Sequence, residues 1–385
     1  MMPEHPFVLL RDDRADRTLL FAEPLEVVTA HDRTSFFAGL DRLEKARASG
    51  KWLAGFMAYE GGYFFEEKLE RRLTKPRSGP FFSFGTFDGP QPDHVLSEPR
   101  QRQENEPFLT DPRAEWDLEA YRTRFDRLHR HLREGDCYQA NLTMPVHARW
   151  NGDPLAAFWS LTALQPVQYG ALVNLGGPIL LSRSPELFFR IDDNGFIEAH
   201  PMKGTARRGE TKAEDAAIVE AMLADIKTQA ENRMIVDLLR NDISRISEVG
   251  TLSVPRLFDI ETYPTVHQMV SHVRARLLPD LKIEDIFRAL FPCGSVTGAP
   301  KLRAMEILDD LEAGPRNAYC GSIGFVDPAG PMCFNVAIRT ISLHENGEAI
   351  FNIGGGIVFD SRAEDEYAEC LLKARFALGD REMAR

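Results

Sequence analysis

Apolar and polar positions alternate most clearly in two places, and both read as hairpins. Leu187 to Ile191 and Phe196 to Ala199 flank Asp192-Asp193-Asn194-Gly195, where Asn and Gly tolerate the positive φ of a tight turn. Tyr319 to Val326 and Met332 to Ile341 flank Asp327-Pro328-Ala329-Gly330, with Asp, Pro and Gly at positions that suit a type I turn. In the second strand of that pair a period of two puts Phe334, Val336 and Ile338 on one face and Asn335, Ala337 and Arg339 on the other. Arg339 is therefore expected to face away from the apolar side of its strand.

Three stretches carry the helical period. Thr211 to Glu214 is a capping box opening a helix that should run towards Leu239, and Ser361 to Glu364 is a second box opening a C-terminal helix. A third helix starts near Pro300 and stops at Gly314-Pro315. The chain shows no fixed-period repeat and no regular βαβα rhythm, so the pattern predicts an α+β fold with antiparallel sheets. Prolines 90, 92, 99, 107 and 112 mark a connection from Asp88 to Arg113, dividing an N-terminal region, residues 1–112, from a main region, residues 113–385.

Composition narrows the class. At 385 residues, 43% hydrophobic and 27% charged, the chain is a folded protein with a sizeable core. Its net charge of −12 argues against non-specific binding to nucleic acid or to an anionic membrane. Five cysteines without a CxxC spacing are expected to be reduced thiols, neither disulfides nor a zinc site. The first residues lack the basic and apolar segments of a secretion signal, and Trp52 to Phe65, broken by Glu60 and glycines, is too short to cross a bilayer. A cytoplasmic placement is expected.

Several groupings bear on chemistry. Glu231 shares a helix side with Met234, Ile235 and Leu238, so it needs a cation, a metal or donors, or else lies at the stripe's edge in water. Spacing alone favours the edge. Glu366, Glu369 and Lys373 recur at i, i+3 and i+7, opposite Tyr367, Leu371, Ala374 and Leu378. An exposed Glu369–Lys373 pair would be worth only ~0.3 to 0.5 kcal/mol, the ordinary reading of such spacing; with Glu231 the same carboxylates form a hard oxygen set of the kind Mg²⁺ takes. Gly354, Gly355 and Gly356 interrupt a strand-like run, which fits either a bend or a ligand close to backbone amides. Ser295 and Thr297 precede the third helix and serve as simple caps or as an anion loop. Lys203 lies in a loop after the first hairpin; only in a closed pocket would its amine turn neutral and nucleophilic.

Taken in order, SPELFF (184–189), HPMKGTARRG (200–209), AENRMIVDLLRNDISR (230–245), GSVTGAPKLRAMEI (294–307), YCGSIGF (319–325), NVAIRT (335–340) and EYAECLLKA (366–374) resemble the chorismate-utilising enzymes. Within that family they look most like the aminodeoxychorismate synthase component I branch. The resemblance runs from about Trp116 to Lys373, with Trp52 to Glu60 a weaker match. It implies antiparallel sheets packed together and flanked by helices, with the active site in a deep cleft.

The resemblance also implies roles. Gln139 stands where water-activating relatives carry a lysine, which implies ammonia as the nucleophile. Lys203 stands where aminodeoxychorismate synthases carry a lysine and anthranilate synthases a small residue; it would attack C2 of chorismate, and Glu186 would protonate the departing C4 hydroxyl. Glu231 and Glu369, with Glu366 alongside, would hold Mg²⁺. Arg339, Lys373, Tyr319, Thr205, Ser295 and the amides of Gly354, Gly355 and Gly356 would bind the substrate. The substrates are then chorismate and ammonia, the latter from a separate glutamine amidotransferase subunit or from free ammonium. Two departures stand out: Gln268 occupies a position where the family usually has a histidine, so no role falls to His267, and Thr228 replaces a carboxylate found in many relatives. The nearest alternative is anthranilate synthase component I; one of another class is a non-catalytic chorismate or amino-acid sensor.

Overall fold

The structure is a computed structural model describing residues 5–91, 107–263, 266–379, 381 and 383. Most of the connection from Asp88 to Arg113 lies outside the described residues. Two large antiparallel sheets face each other. The first runs Gly298–Ala299, Gln139–Trp150, Glu348–Val358, Thr340–Leu343, Ile179–Ser184, Tyr169–Asn174, Phe7–Asp12 and Arg17–Ala22, with Leu109–Ala114 paired to Gln139–Trp150. The second runs Met202–Arg207, Val266–Arg276, Phe196–Ala199, Leu187–Ile191, Met332–Asn335, Ser322–Val326, Trp52–Met57, Phe82–Phe87 and Glu26–Ala30, with Ser253–Thr262 paired to Val266–Arg276.

Alternation along these strands gives each sheet two apolar faces, so the molecule has three layers of core. Between the sheets Val8, Ala171 and Leu180 meet Ala54, Phe56 and Ile323. Outside the first sheet, Leu118–Glu134 buries Tyr121, Phe125, Leu128 and Leu132 at helical spacing, and Lys301–Leu311 and Ala363–Lys373 pack on the same side. Asp117 caps Leu118–Glu134 by accepting from the Ala120 amide at 2.8 Å. Outside the second sheet lie Arg33–Ala48, Ile226–Ser244 and Ile283–Leu290. Strands from residues 1–91 are hydrogen-bonded into both sheets, so the N-terminal region shares its core with the rest.

The first hairpin has the expected strands, with Asp192 Oδ1 accepting from the Asn194 and Phe196 amides. The second does not run to Ile341. Its strand stops at Asn335, and the chain crosses between sheets through Val336 to Arg339 before Thr340–Leu343 pairs in the first sheet. Arg339 sits in that crossing at φ +51°, so no strand alternation governs it.

The helix from Thr211 is two helices, Lys212–Ala224 and Ile226–Ser244. Asp225 divides them because its carboxylate accepts from the Lys227 amide and the Thr228 hydroxyl, making it the cap of the second. The box at Ser361 also differs: Arg362 is the helix N-cap, and the Ser361 hydroxyl donates to Glu366 Oε1 at 2.6 Å. Pro300 stands at the N-cap of Lys301–Leu311.

Candidate active site

Lys203 is not in a loop. It lies on the edge strand Met202–Arg207, where Met202 pairs with Val270 and Thr205 with Gln268, three residues spanning two. That bulge turns the side chain out of register. Gly204 makes it possible: its φ is +83°, and a Cβ there would meet Thr228 Cγ2 at 2.4 Å. Burial is the largest influence on the Lys203 amine and lowers its pKa, against the opposing pull of Glu231, Glu186 and Glu369. It has no ion-pair partner among the described residues.

Glu186 stands at a second bulge, just before Leu187–Ile191, where Leu187 and Phe189 pair with the adjacent Asn335 and Phe334. Its backbone is held by Ser184, whose hydroxyl accepts from the Glu186 amide at 3.2 Å and donates to Val336 O at 2.6 Å. Glu186 is 7% exposed. Burial pushes its pKa up to about 7, moderated by the Ser295 hydroxyl and by the charges of Lys203 and Arg339. Arg339 is itself short of compensation: burial lowers its pKa, and it has no ion-pair partner among the described residues.

The glycine run forms the opposite wall, and each glycine is needed for close approach. A Cβ on Gly354 would meet Leu142 O at 2.6 Å, one on Gly355 would meet Glu366 Oε2 at 3.1 Å, and one on Gly356 would meet Gln139 Nε2 at 2.8 Å and Lys203 Nζ at 3.2 Å. Gln139 is fully buried, with neither amide atom hydrogen-bonded. A buried, unpartnered amide beside a half-buried amine with no ion-pair partner among the described residues is costly unless a ligand satisfies both.

Lys373 donates to Gly354 O at 2.8 Å and pairs with Glu369 at 2.7 Å, both side chains about half exposed. Glu231 is half-buried at the edge of its helix, whose buried face is Asn232, Ile235, Val236, Leu239, Asp242 and Ile243. The edge placement thus holds, and the stripe is displaced by one residue from the expected one. Burial raises the pKa of Glu366, and the negative charges of Glu369 and Glu231 add to the shift. Glu231, Glu366 and Glu369 therefore form a negative cluster of hard oxygens that fits a divalent cation chemically, although their oxygens do not all lie within 4.8 Å of one another. The one tight group of potential ligands among the described residues is His131, Glu134 and Asp136, and there Asp136 already receives Arg303 at 3.0 Å.

Tyr319 is buried in the turn before Ser322–Val326, and Thr205 is exposed two residues beyond Lys203. Ser295 does not present a free hydroxyl: it donates to Glu186 Oε1 at 2.6 Å. His267 bridges Asp215 at 2.8 Å and Thr262 at 3.0 Å, a link between a helix and two strands. Spacing left out Ser184, Cys293 and Arg316. Ser184 bonds only backbone groups, and Arg316 bonds two backbone carbonyls besides Glu312; main-chain partners carry no sequence signal.

The chorismate binding enzyme family matches residues 5–379. Aminodeoxychorismate synthase component 1 of Escherichia coli is 42% identical over 267 residues, covering 69% of this chain and 58% of that protein. Anthranilate synthase component 1 of Methanothermobacter marburgensis is 37% identical over 351 residues, 86% of this chain and 75% of that protein. The chain thus spans little more than half of the first of these. A crystal structure of anthranilate synthase component I from Streptococcus pneumoniae superposes with a TM-score of 0.79 at 25% identity, covering 97% of this chain and 92% of the other. On the family match and these likenesses, the chain belongs to the chorismate binding enzymes.

Proposed function

We propose that the protein aminates chorismate at C4 with ammonia to give 4-amino-4-deoxychorismate, as the synthase component beside a glutamine amidotransferase that supplies the ammonia. The observation that carries this reading is the pairing of Lys203 with Glu186: burial lowers the pKa of the amine and pushes that of the carboxyl up to about 7, so each is drawn towards its uncharged form. Likeness to proteins named aminodeoxychorismate synthase supports the branch, as does a lysine where the resemblance leaves anthranilate synthases a small residue.

In this reading neutral Lys203 Nζ bonds to C2 of the ring, the two ring double bonds shift, and the C4–O bond breaks as Glu186 gives its proton to the leaving hydroxyl, releasing water. Ammonia then bonds to C4, the double bonds return, and the C2–N bond breaks to restore Lys203. The enolpyruvyl group is untouched. Arg339, with no ion-pair partner among the described residues, takes a substrate carboxylate, and the Gly354 to Gly356 wall admits the ring beside Gln139. Glu231 and Glu369, with Glu366 beside them, would hold Mg²⁺, which when bound neutralises the ring carboxylate and draws electron density from the ring.

The test is purified protein with chorismate, Mg²⁺ and ammonium. The expected product is an amine retaining the enolpyruvyl group, and protein quenched during turnover should carry a substrate-sized adduct on Lys203. Pyruvate release with fluorescent anthranilate would favour the anthranilate synthase reading, which the 37% identity over most of this chain keeps in play. Binding without turnover would leave only a sensor.

A further inference from the structure

We propose that Cys293 and Ser295 are positioning residues that hold Glu186 Oε1 as a hydrogen-bond acceptor and so leave the acidic proton on Oε2, the oxygen free for the substrate. The inference rests on the general-acid reading of Glu186. A carboxylic acid has two oxygens, and a proton on the wrong one points into the protein and cannot be transferred. Ser295 Oγ donates to Oε1 at 2.6 Å, a bond that becomes charge-assisted when Glu186 ionises, and its single proton is engaged there. Its oxygen must then accept, and Cys293 Sγ lies 3.2 Å away. The thiol has a proton to give, because burial pushes its pKa up to about 12. The chain therefore runs in one direction, from Cys293 S–H to Ser295 Oγ and from Ser295 O–H to Oε1.

Both ends of the chain are fixed. The Cys293 carbonyl accepts from Thr297 Oγ1 at 3.2 Å and from the Val296 amide at 3.3 Å. The loop lies flush on the helix Ile226–Ser244, since a Cβ on Gly294 would meet Leu238 Cδ2 at 2.5 Å. From the far side Ser184 fixes the backbone of Glu186. The other groups facing the carboxyl are Lys203 and Arg339, which favour its ionised form, and the buried Cys320 thiol. None of them donates to Oε1.

The experiment is an infrared titration of the full chain without substrate, wild type minus Glu186→Gln, which isolates the protonated carboxyl band of Glu186. In wild type the band should be lost with a midpoint near 7. Ser295→Ala should move the midpoint up by about one pH unit, the equivalent of one charge-assisted hydrogen bond, and Ser295→Thr should restore it. Cys293→Ala should move it up by less, and Cys293→Ser should restore it. In turnover, Ser295→Ala should lower kcat roughly 10-fold, within the range of general acid catalysis, with KM unchanged. An unmoved midpoint in Ser295→Ala, or a rise in KM alone, would overturn the proposal and return Ser295 to substrate binding. A Cys293→Ala protein identical to wild type would overturn the thiol's part. If Ser295→Ala fails to fold, the Cys293→Ala and Cys293→Ser pair still decides. Midpoint shifts in a protein that makes no amine would uphold the chain and sink the functional reading.

Discussion

Withholding water from a carboxyl and an amine in the same site draws both towards their uncharged forms, and that has a thermodynamic consequence at Glu186. Its pKa rises from 4.5 unfolded to about 7 folded, so between those values the native state holds more protons and stability falls as pH rises. Above 7 the full cost applies, of order 3 kcal/mol. Glu186→Gln keeps the acceptor for Ser295 and removes the charge. We expect it to abolish turnover yet raise the melting temperature at pH 8, with far less gain at pH 5; an equal gain at both would mean the charge is not the cause. The same titration governs rate: kcat/KM should fall as pH climbs past about 7, where free Glu186 loses the proton it must donate.

Sheet irregularity explains at the element level which parts of the site a sequence can disclose. Lys203 and Glu186 sit at bulges and Arg339 in a crossing between sheets; a period of two reads through Arg339 as though the strand continued, and gives no strand at all for Lys203 or Glu186. Hence the hairpin around Asp192 to Gly195 is legible residue by residue, while the alternation through Arg339 outlasts the strand, which ends at Asn335. Helix ends failed where a side chain had two uses: Asp225 ends one helix to cap the next, and Ser361 turns from capping to Glu366. The glycine triplet was visible as composition, but its purpose is set by what stands opposite. Substitutions should separate the two purposes. Gly354→Ala drives a methyl into Leu142 O, which cannot move without breaking the ladder, so it should cost ~1 to 3 kcal/mol by chemical denaturation. Gly356→Ala meets only side chains, Gln139 and Lys203, so stability should change little while kcat falls at least about 10-fold. The reverse assignment of losses would refute this division of labour.

Across the whole molecule, the parts that come from distant stretches of chain are tied at one buried ionic centre. Arg316, 3% exposed, donates to Glu312, to Val296 O at 2.8 Å and to Asn141 O at 2.6 Å, and lies over the Tyr59 ring at 4.5 Å. Glu312 also receives the Thr143 amide and hydroxyl at 3.0 and 2.9 Å. Glu60, from the N-terminal region, receives Arg77 and the amides of Arg316 and Asn317. The centre thus joins that region, the strand Gln139–Trp150 and the loop of Ser295, which borders the site. Removing the cation leaves a buried carboxylate and two carbonyls short of donors, so Arg316→Met should destabilise by ~3 to 5 kcal/mol. If the uncompensated charge dominates, adding Glu312→Gln should recover a measurable part of that loss, leaving the double variant more stable than Arg316→Met alone. Urea midpoints of the two singles and the double give the coupling directly. Losses that simply add would show that Arg316 acts through packing on Tyr59 and not through its charge.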